Sequence, residues 1–263
     1  MYTLPHQPGS IGRVLDAAAM LFKSTFVAVL PFSLAAAILS LTPSAFLLFY
    51  DPVKDAADVL ALMRSPTYWS TVAATLLVNT VLYSAAMARA ESIAQGARST
   101  ALAALGVGVR RFPVLFLSLI CFAVVLFFGL LLLVVPGIIV LVSMIFYTPA
   151  VVIDRKGIVE SLTYSHSLVW GNWWRTSVLL TVGFIVIYVL FVIVAVGLQL
   201  LAEFLAFDRT TRTLVEFSSS AFVTLVSAPF ANALMLEIYR DLKLRKEGGD
   251  LEQRLAALRP AST

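Results

Sequence analysis

No Asp, Glu, Lys or Arg occurs between Phe112 and Ile153, and charged residues make up only 13% of the 263 positions. A soluble domain of this size needs far more polar surface to cover its core, so an ordinary aqueous fold is excluded. Cysteine is reduced to Cys121, inside an apolar run, which rules out an intrachain disulfide and a cysteine-based metal site. Histidine is reduced to His6 and His166. There is no H-E-x-x-H and no pair of carboxylates within an apolar run, the groups an intramembrane zinc or aspartyl protease needs. A serine enzyme would have to take its base from His6, in a short lead with two prolines, or from His166, read here as a headgroup-level residue. The apolar runs hold almost no ionisable side chain, which argues against a proton-coupled pump. The expectation is therefore no catalytic residue, no cofactor and no metal.

What is present is oil-soluble. Hydrophobic residues make up 60% of the chain and the mean hydropathy is +0.94. The organising stretch is 130–176, where two apolar runs meet at Pro136-Gly137, a pair read as a tight turn between membrane helices. About twenty apolar residues in a helix rising about 1.5 Å per residue match a hydrocarbon core about 30 Å thick. After Pro149 and Ile153 comes a charged knot, Asp154-Arg155-Lys156, then a semi-polar segment ending in Trp170, Trp173, Trp174 and Arg175. Tryptophan and arginine at such a place mark a water–lipid boundary. Arg155, Lys156 and Arg175 are thus candidate headgroup contacts, within a surface charge network that includes Asp154 and Glu160.

Reading in order, a single all-helical membrane domain covers residues 1–263. Spans are expected at about 26–49, 68–87, 112–135, 138–153, 176–201 and 217–236, with a polar tail at 237–263 that breaks at Gly248-Gly249. Segments 11–24, 98–111 and 157–172 read as helices lying in the interface. The first span is expected to stay uncleaved. Loops at 51–67 and 202–216 face the opposite side. Pro31 and Pro43 should kink the first span, while Asn79 in the second and Asn232 in the sixth should pack between helices.

The net charge of +4 does not imply a nucleic-acid partner, because the basic residues sit at the ends of apolar runs. Fifteen of the nineteen Lys and Arg residues fall on the side of the two termini; Lys54, Arg64, Arg209 and Arg212 fall on the other. The positive-inside rule then puts both termini in the cytoplasm. A shift of 147 residues lays Ile11 on Ile158, Leu15 on Leu162 and Phe26 on Trp173. The expected architecture is thus three repeats, each an interfacial helix followed by a helical hairpin.

Several motifs carry a resemblance. Pro136-Gly137-Ile138, Pro149, and the run Ser161–Arg175 with Ser165, Gly171 and Asn172 are similar to the YciC-like bacterial membrane family. That group is related to the membrane domain of some glycerophosphodiester phosphodiesterases, and Ile11–Ser24 resembles its N-terminal segment. The resemblance implies a multi-pass protein of the bacterial inner membrane, linked to envelope or membrane-lipid homeostasis. It supplies no catalytic residue, and the chain leaves no room for a phosphodiesterase barrel. Membrane lipids, and other inner-membrane proteins, are the expected partners of a non-enzymatic protein. The alternative is a transporter or channel for a hydrophobic or uncharged small molecule, motivated by Pro31, Pro43, Pro149, Pro229, Asn79 and Asn232.

Overall fold

Side-chain caps mark several of the helix starts in the computed structural model, which describes residues 2–42, 45, 61 and 64–258. Ser10 Oγ accepts from the Arg13 N–H (3.3 Å), Ser65 Oγ from Tyr68 N–H (3.3 Å) and Thr100 Oγ1 from Ala103 N–H (3.2 Å). Each satisfies a donor that a helix N-terminus leaves without a partner. The helices that follow are α1 (Ile11–Ser40), α2 (Pro66–Ala94) and α3 (Ala101–Leu132). Then come α4 (Val134–Met144), α5 (Tyr147–Val152), α6 (Ile158–Val169), α7 (Trp173–Phe204) and α8 (Arg209–Leu258). No strand occurs among the described residues.

Among the described residues, six stretches are long and apolar enough to cross a membrane: Ile11–Ser40, Pro66–Ala94, Ala101–Leu132, Val134–Val152, Trp173–Phe204 and Phe217–Gly248. The protein is all-helical with six candidate spans, as the apolar runs require. Helix α1 packs against α2 and α8, α2 against α3, α3 against α4, and α7 against α8. Side chains such as Phe127, Leu132, Val135, Phe184 and Ile193 stay exposed on the outer surface. A surface of that size and composition is suited to lipid.

Two expected interfacial helices are not separate elements. Segment 11–24 is the first part of α1, and 98–111 is mostly the first part of α3. Nothing between Lys23 and Phe26 breaks the helix, and Ser24 and Thr25 donate their hydroxyls back to the Leu21 carbonyl (2.9 and 2.8 Å). At 30 and 32 residues, α1 and α3 exceed the roughly 20 residues a bilayer needs, so their first turns extend past the hydrocarbon. Segment 157–172 alone is a distinct helix, α6. Trp170 is extended and Gly171 adopts φ +93°, a left-handed conformation that glycine reaches without a Cβ clash. The unit of interfacial helix plus hairpin is therefore not repeated three times in this form.

Other boundaries also move. The turn between the third and fourth spans falls at Leu133 (φ −170°), and Pro136-Gly137 lies inside the first turn of α4. There Pro136 lacks only an N–H that a helix start leaves free anyway. Gly137 serves the hairpin instead: a Cβ on it would stand 3.1 Å from Leu130 Cα and 2.3 Å from Leu130 Cδ2. The expected loop at 202–216 shrinks to the few residues between Phe204 and Arg209. Pro31 and Pro229 lie within continuous helices; Pro43 and most of the 51–67 loop, including Lys54, lie outside the described residues.

The expected tail is the largest correction. Helix α8 runs on past Leu236 and through Gly248-Gly249 to Leu258. Leu236, Ile238, Tyr239 and Leu242 are at most 1% exposed. They pack with Val14, Ala18, Phe146 and Leu168 on one side and Leu21, Met87 and Val151 on the other. The segment reads as polar because many of its other residues are charged, and of those charges Glu237, Arg240, Asp241, Lys243 and Arg245 are partnered within the bundle.

Candidate functional site

The fourth span is broken, and the break shapes one end of the molecule. Pro149 cannot donate to the Ile145 carbonyl, and its ring crowds the preceding turn. Helix α4 accordingly stops at Met144 and α5 begins at Tyr147. The freed groups are met from another element: buried Ser165 Oγ on α6 accepts from Phe146 N–H (3.2 Å) and donates to the Ser143 carbonyl (2.8 Å). One turn earlier, Ser161 lies 3.3 Å from the Ser118 hydroxyl of α3. Ser161 and Ser165 therefore stitch α6 to the bundle.

Helix α8 then gathers three ionic clusters at this end. In the first, Asp241 is 3% exposed and accepts from Gly9 N–H (2.8 Å), Arg175 Nη2 (3.1 Å) and Arg245 Nε (2.9 Å). The Gly9 carbonyl accepts from both guanidiniums, at 2.7 Å from Arg175 and 2.6 Å from Arg245. In the second, Arg240 pairs with Glu237 and with Glu91 of α2, and donates to Tyr2 Oη at 2.7 Å. Tyr2 in turn donates to Glu237, and burial pushes its phenol well above the ordinary range. In the third, Asp154 accepts from Tyr239 Oη and from Lys243 Nζ (2.9 Å). The N-terminal lead and the polar half of α8 therefore share one end of the bundle with Glu91, Asp154 and Arg175.

The residues singled out from the sequence do not form one site. Arg175 is a partner of Asp241, not a free anchor. Lys156 pairs with Glu160 at 2.7 Å, which raises the lysine and lowers the carboxyl, the latter also held by Gly157 N–H. Asp154 reaches Lys243 rather than its neighbours in the knot. Arg155 has no acid partner among the described residues and sits at φ 57°. Trp170, Trp173, Trp174 and Arg175 line a surface recess of about 490 Å³ together with Gly171 and Asn172. Trp170 and Trp174 are 63% and 79% exposed. His166 lies against Trp170, with ring centroids 5.1 Å apart and the ring planes tilted by 39°. Pro136 and Gly137 lie at the start of α4, in the hairpin with α3.

What sequence reasoning missed is Tyr2, Gly9, Glu91, Glu237, Tyr239 and Asp241. One local signal was available. Glu237, Arg240, Asp241 and Arg245 recur at spacings that share a helix face, with alternating sign. Their distant partners lie 66 to 238 residues away and leave no such mark.

Two further features stand out. A cleft of about 560 Å³ opens between α2, α3 and the Ile153–Arg155 turn, with Arg110, Arg111 and Arg155 in its lining. Within the membrane-spanning part, a cavity of about 190 Å³ between α1, α2 and α8 is lined in part by Ser33, Asn79, Tyr83 and Asn232. The Oδ1 atoms of Asn79 and Asn232 are buried there without a hydrogen-bond partner. Among the described residues, no group of three His, Cys, Asp or Glu side chains is placed to hold a metal ion.

Comparison with known proteins fits this membrane architecture. The chain is 27% identical over 102 residues to a UPF0259 membrane protein of Photorhabdus laumondii subsp. laumondii. That match covers 39% of this chain and 40% of the relative, less than half the relative's own length. No solved structure matches. The family described as "Domain of unknown function (DUF7847)" matches residues 17–242, nearly the whole of the span-forming chain, and this multi-pass membrane protein belongs to that family.

Proposed function

We propose that this is a non-enzymatic integral protein of the bacterial inner membrane that supports envelope or membrane-lipid balance by binding lipids and neighbouring membrane proteins. The observation that carries the reading is the separation of chemistry along the bundle. Charged groups collect in one layer at the end shared by the lead, Glu91, Asp154, Arg175 and α8, below a belt of exposed apolar side chains. Such a layer suits the headgroup region, and the Trp170 and Trp174 side chains beside it suit the same depth. The excess of Lys and Arg at this end supports a cytoplasmic location for both termini. The similarity of 130–176 to YciC-like proteins, and through them to the phosphodiesterase membrane domain, supports the inner-membrane assignment.

The test is to extract the full chain in a mild detergent and compare its co-purifying lipids with those of the bulk membrane. Enrichment of anionic phospholipid is expected, and a bound fraction that mirrors the bulk overturns the reading. Reporters fused to each end should both signal from the cytoplasm.

A second reading, passage of an uncharged small molecule, is favoured by the cavity that Asn79 and Asn232 share. Its volume of about 190 Å³ is below the roughly 300 Å³ at which ligand pockets usually begin, so it ranks second. Cysteine at Asn232 that reacts with a small polar thiol reagent from both sides of the membrane would reverse the ranking.

A further inference from the structure

The basic residues at the charged end divide into two populations. Lys156, Arg175, Arg240, Lys243 and Arg245 each lie against a carboxylate. Arg13, Lys23, Arg89, Arg98, Arg110, Arg111, Arg155 and Lys246 make no ion pair among the described residues, and of these Arg110, Arg111 and Arg155 line one cleft of about 560 Å³. The acid in that cleft, Glu91, is already engaged: one oxygen takes Arg240, and the other accepts from Gln95 Nε2 at 2.6 Å. The cleft therefore presents three guanidiniums against one carboxylate, Glu91, which is itself shared with Arg240, so positive charge is in excess there.

Arg155 adds a second, independent sign. Its φ of 57° is a left-handed conformation, which a side-chain-bearing residue holds only where its surroundings impose it, and such strain collects at functional positions. The turn closes through Lys156 N–H to the Ala150 carbonyl (3.1 Å). In that turn Asp154 reaches Lys243 and Tyr239, while Arg155 lines the cleft. The remaining lining is mixed: Ser92 and Gln95 of α2 are polar, while Ala88, Ala103, Val107 and Val152 form an apolar part of the wall. At Gly106 an added Cβ would meet open space, so the floor is free to receive a ligand. Arg111 directly precedes the uncharged run that begins at Phe112, which sets the cleft at headgroup depth.

We propose that this cleft binds the phosphodiester headgroup of an anionic glycerophospholipid, with Arg110, Arg111 and Arg155 as its guanidinium donors. The guanidinium fork matches phosphate oxygens, and the volume exceeds a bare phosphate and falls within the range of about 300–1,000 Å³ typical of ligand sites. The apolar part of the wall accepts the glycerol and the start of the acyl chains. This rests on the lipid-binding reading above and relocates the site from Lys156 and Arg175, whose charges are spent within the protein.

The test uses the full chain in nanodiscs and micelles, with native mass spectrometry reading retained lipid. Phosphatidylglycerol is compared with phosphatidylcholine, and inorganic phosphate is added as a competitor. Arg155→Ala should weaken phosphatidylglycerol retention about tenfold, a loss of the size expected for a charge-assisted contact. Gly106→Leu, which fills the cleft and keeps every charge, should do the same. Arg98→Gln removes an exposed charge from the α2–α3 turn and should change retention less than about twofold. Equal thermal stability and equal elution volume confirm that the variants fold. If wild type retains phosphatidylglycerol and Arg155→Ala and Gly106→Leu retain it equally, the cleft is overturned while lipid binding stands. If wild type shows no preference for phosphatidylglycerol, both fall. Full displacement by millimolar inorganic phosphate would make the ligand a free phosphate and overturn the lipid assignment.

Discussion

Replacing Asp241 with alanine removes the acceptor at the centre of the largest ionic cluster. The carboxylate is 3% exposed and receives the Gly9 N–H and two guanidiniums. A charge-assisted hydrogen bond contributes about 1.5–3 kcal/mol when its loss strands the partner, so three such groups sum to about 4.5–9 kcal/mol. That sum overshoots. Arg175 and Arg245 keep the Gly9 carbonyl, and their side chains are 19% and 27% exposed, so water takes part of the burden. The expected loss is therefore about 3–5 kcal/mol, the usual range for stranding a buried charge. Asp241→Asn keeps the shape and should lose less. The assay is unfolding of the purified chain in mixed micelles by titrated dodecyl sulfate, paired with limited proteolysis of the lead. Wild type should protect the lead and Asp241→Ala should expose it. A loss under about 1 kcal/mol with an equally protected lead would refute the claim that Asp241 holds Gly9, Arg175 and Arg245 together.

Ser165→Ala should cost about 1–3 kcal/mol in the same assay, because it strands the Phe146 N–H and the Ser143 carbonyl in a buried place. Gly171→Ala should cost about 1–2 kcal/mol, since alanine is strained at φ +93°; an unchanged unfolding midpoint would show that the α6–α7 corner relaxes. Burial and the bond to Glu237 hold the Tyr2 phenol neutral above its ordinary pKa of about 10. Its contribution to docking of the lead should be fully present below about pH 10 and lost as pH rises toward the folded value. Hydrogen exchange of residues 2–9 should accelerate over that alkaline window, and Tyr2→Phe should abolish this Tyr2-dependent component.

Much of the fold was legible because lipid imposes a simple rule on sequence. Uncharged runs such as 112–153 and 176–201 have one stable outcome, and the all-helical architecture with six candidate spans followed from them. Local breaks were harder to place. Pro136-Gly137 looks like a turn, but proline is well tolerated in a first helical turn, and the chain bends at Leu133 instead. Pro149, by contrast, falls where its span is broken, while Pro31 and Pro229 leave their helices continuous; at Pro149 the Ser165 hydroxyl stands ready to take up the opened backbone groups. The interfacial segments 11–24 and 98–111 have the right amphipathic spacing yet lack a breaker like Gly171, so they merge with the spans they precede. The charged layer was least legible. Arg175 beside three tryptophans reads as a lipid anchor, and nothing near it in sequence announces Asp241. Glu237–Lys246 reads as a hydrated tail because composition alone cannot distinguish charges facing water from charges facing each other.

The seam at Ser165 also bears on how the chain is assembled. The fourth span leaves the ribosome ahead of α6, so the groups at Ser143 and Phe146 meet oil before their eventual partner has docked. Until α6 arrives, that hairpin is committed to lipid with an open backbone, a state that hydrocarbon penalises. Docking of α6 is then the event that seals the hairpin, and biogenesis of the first four spans is tied to a helix that itself never crosses.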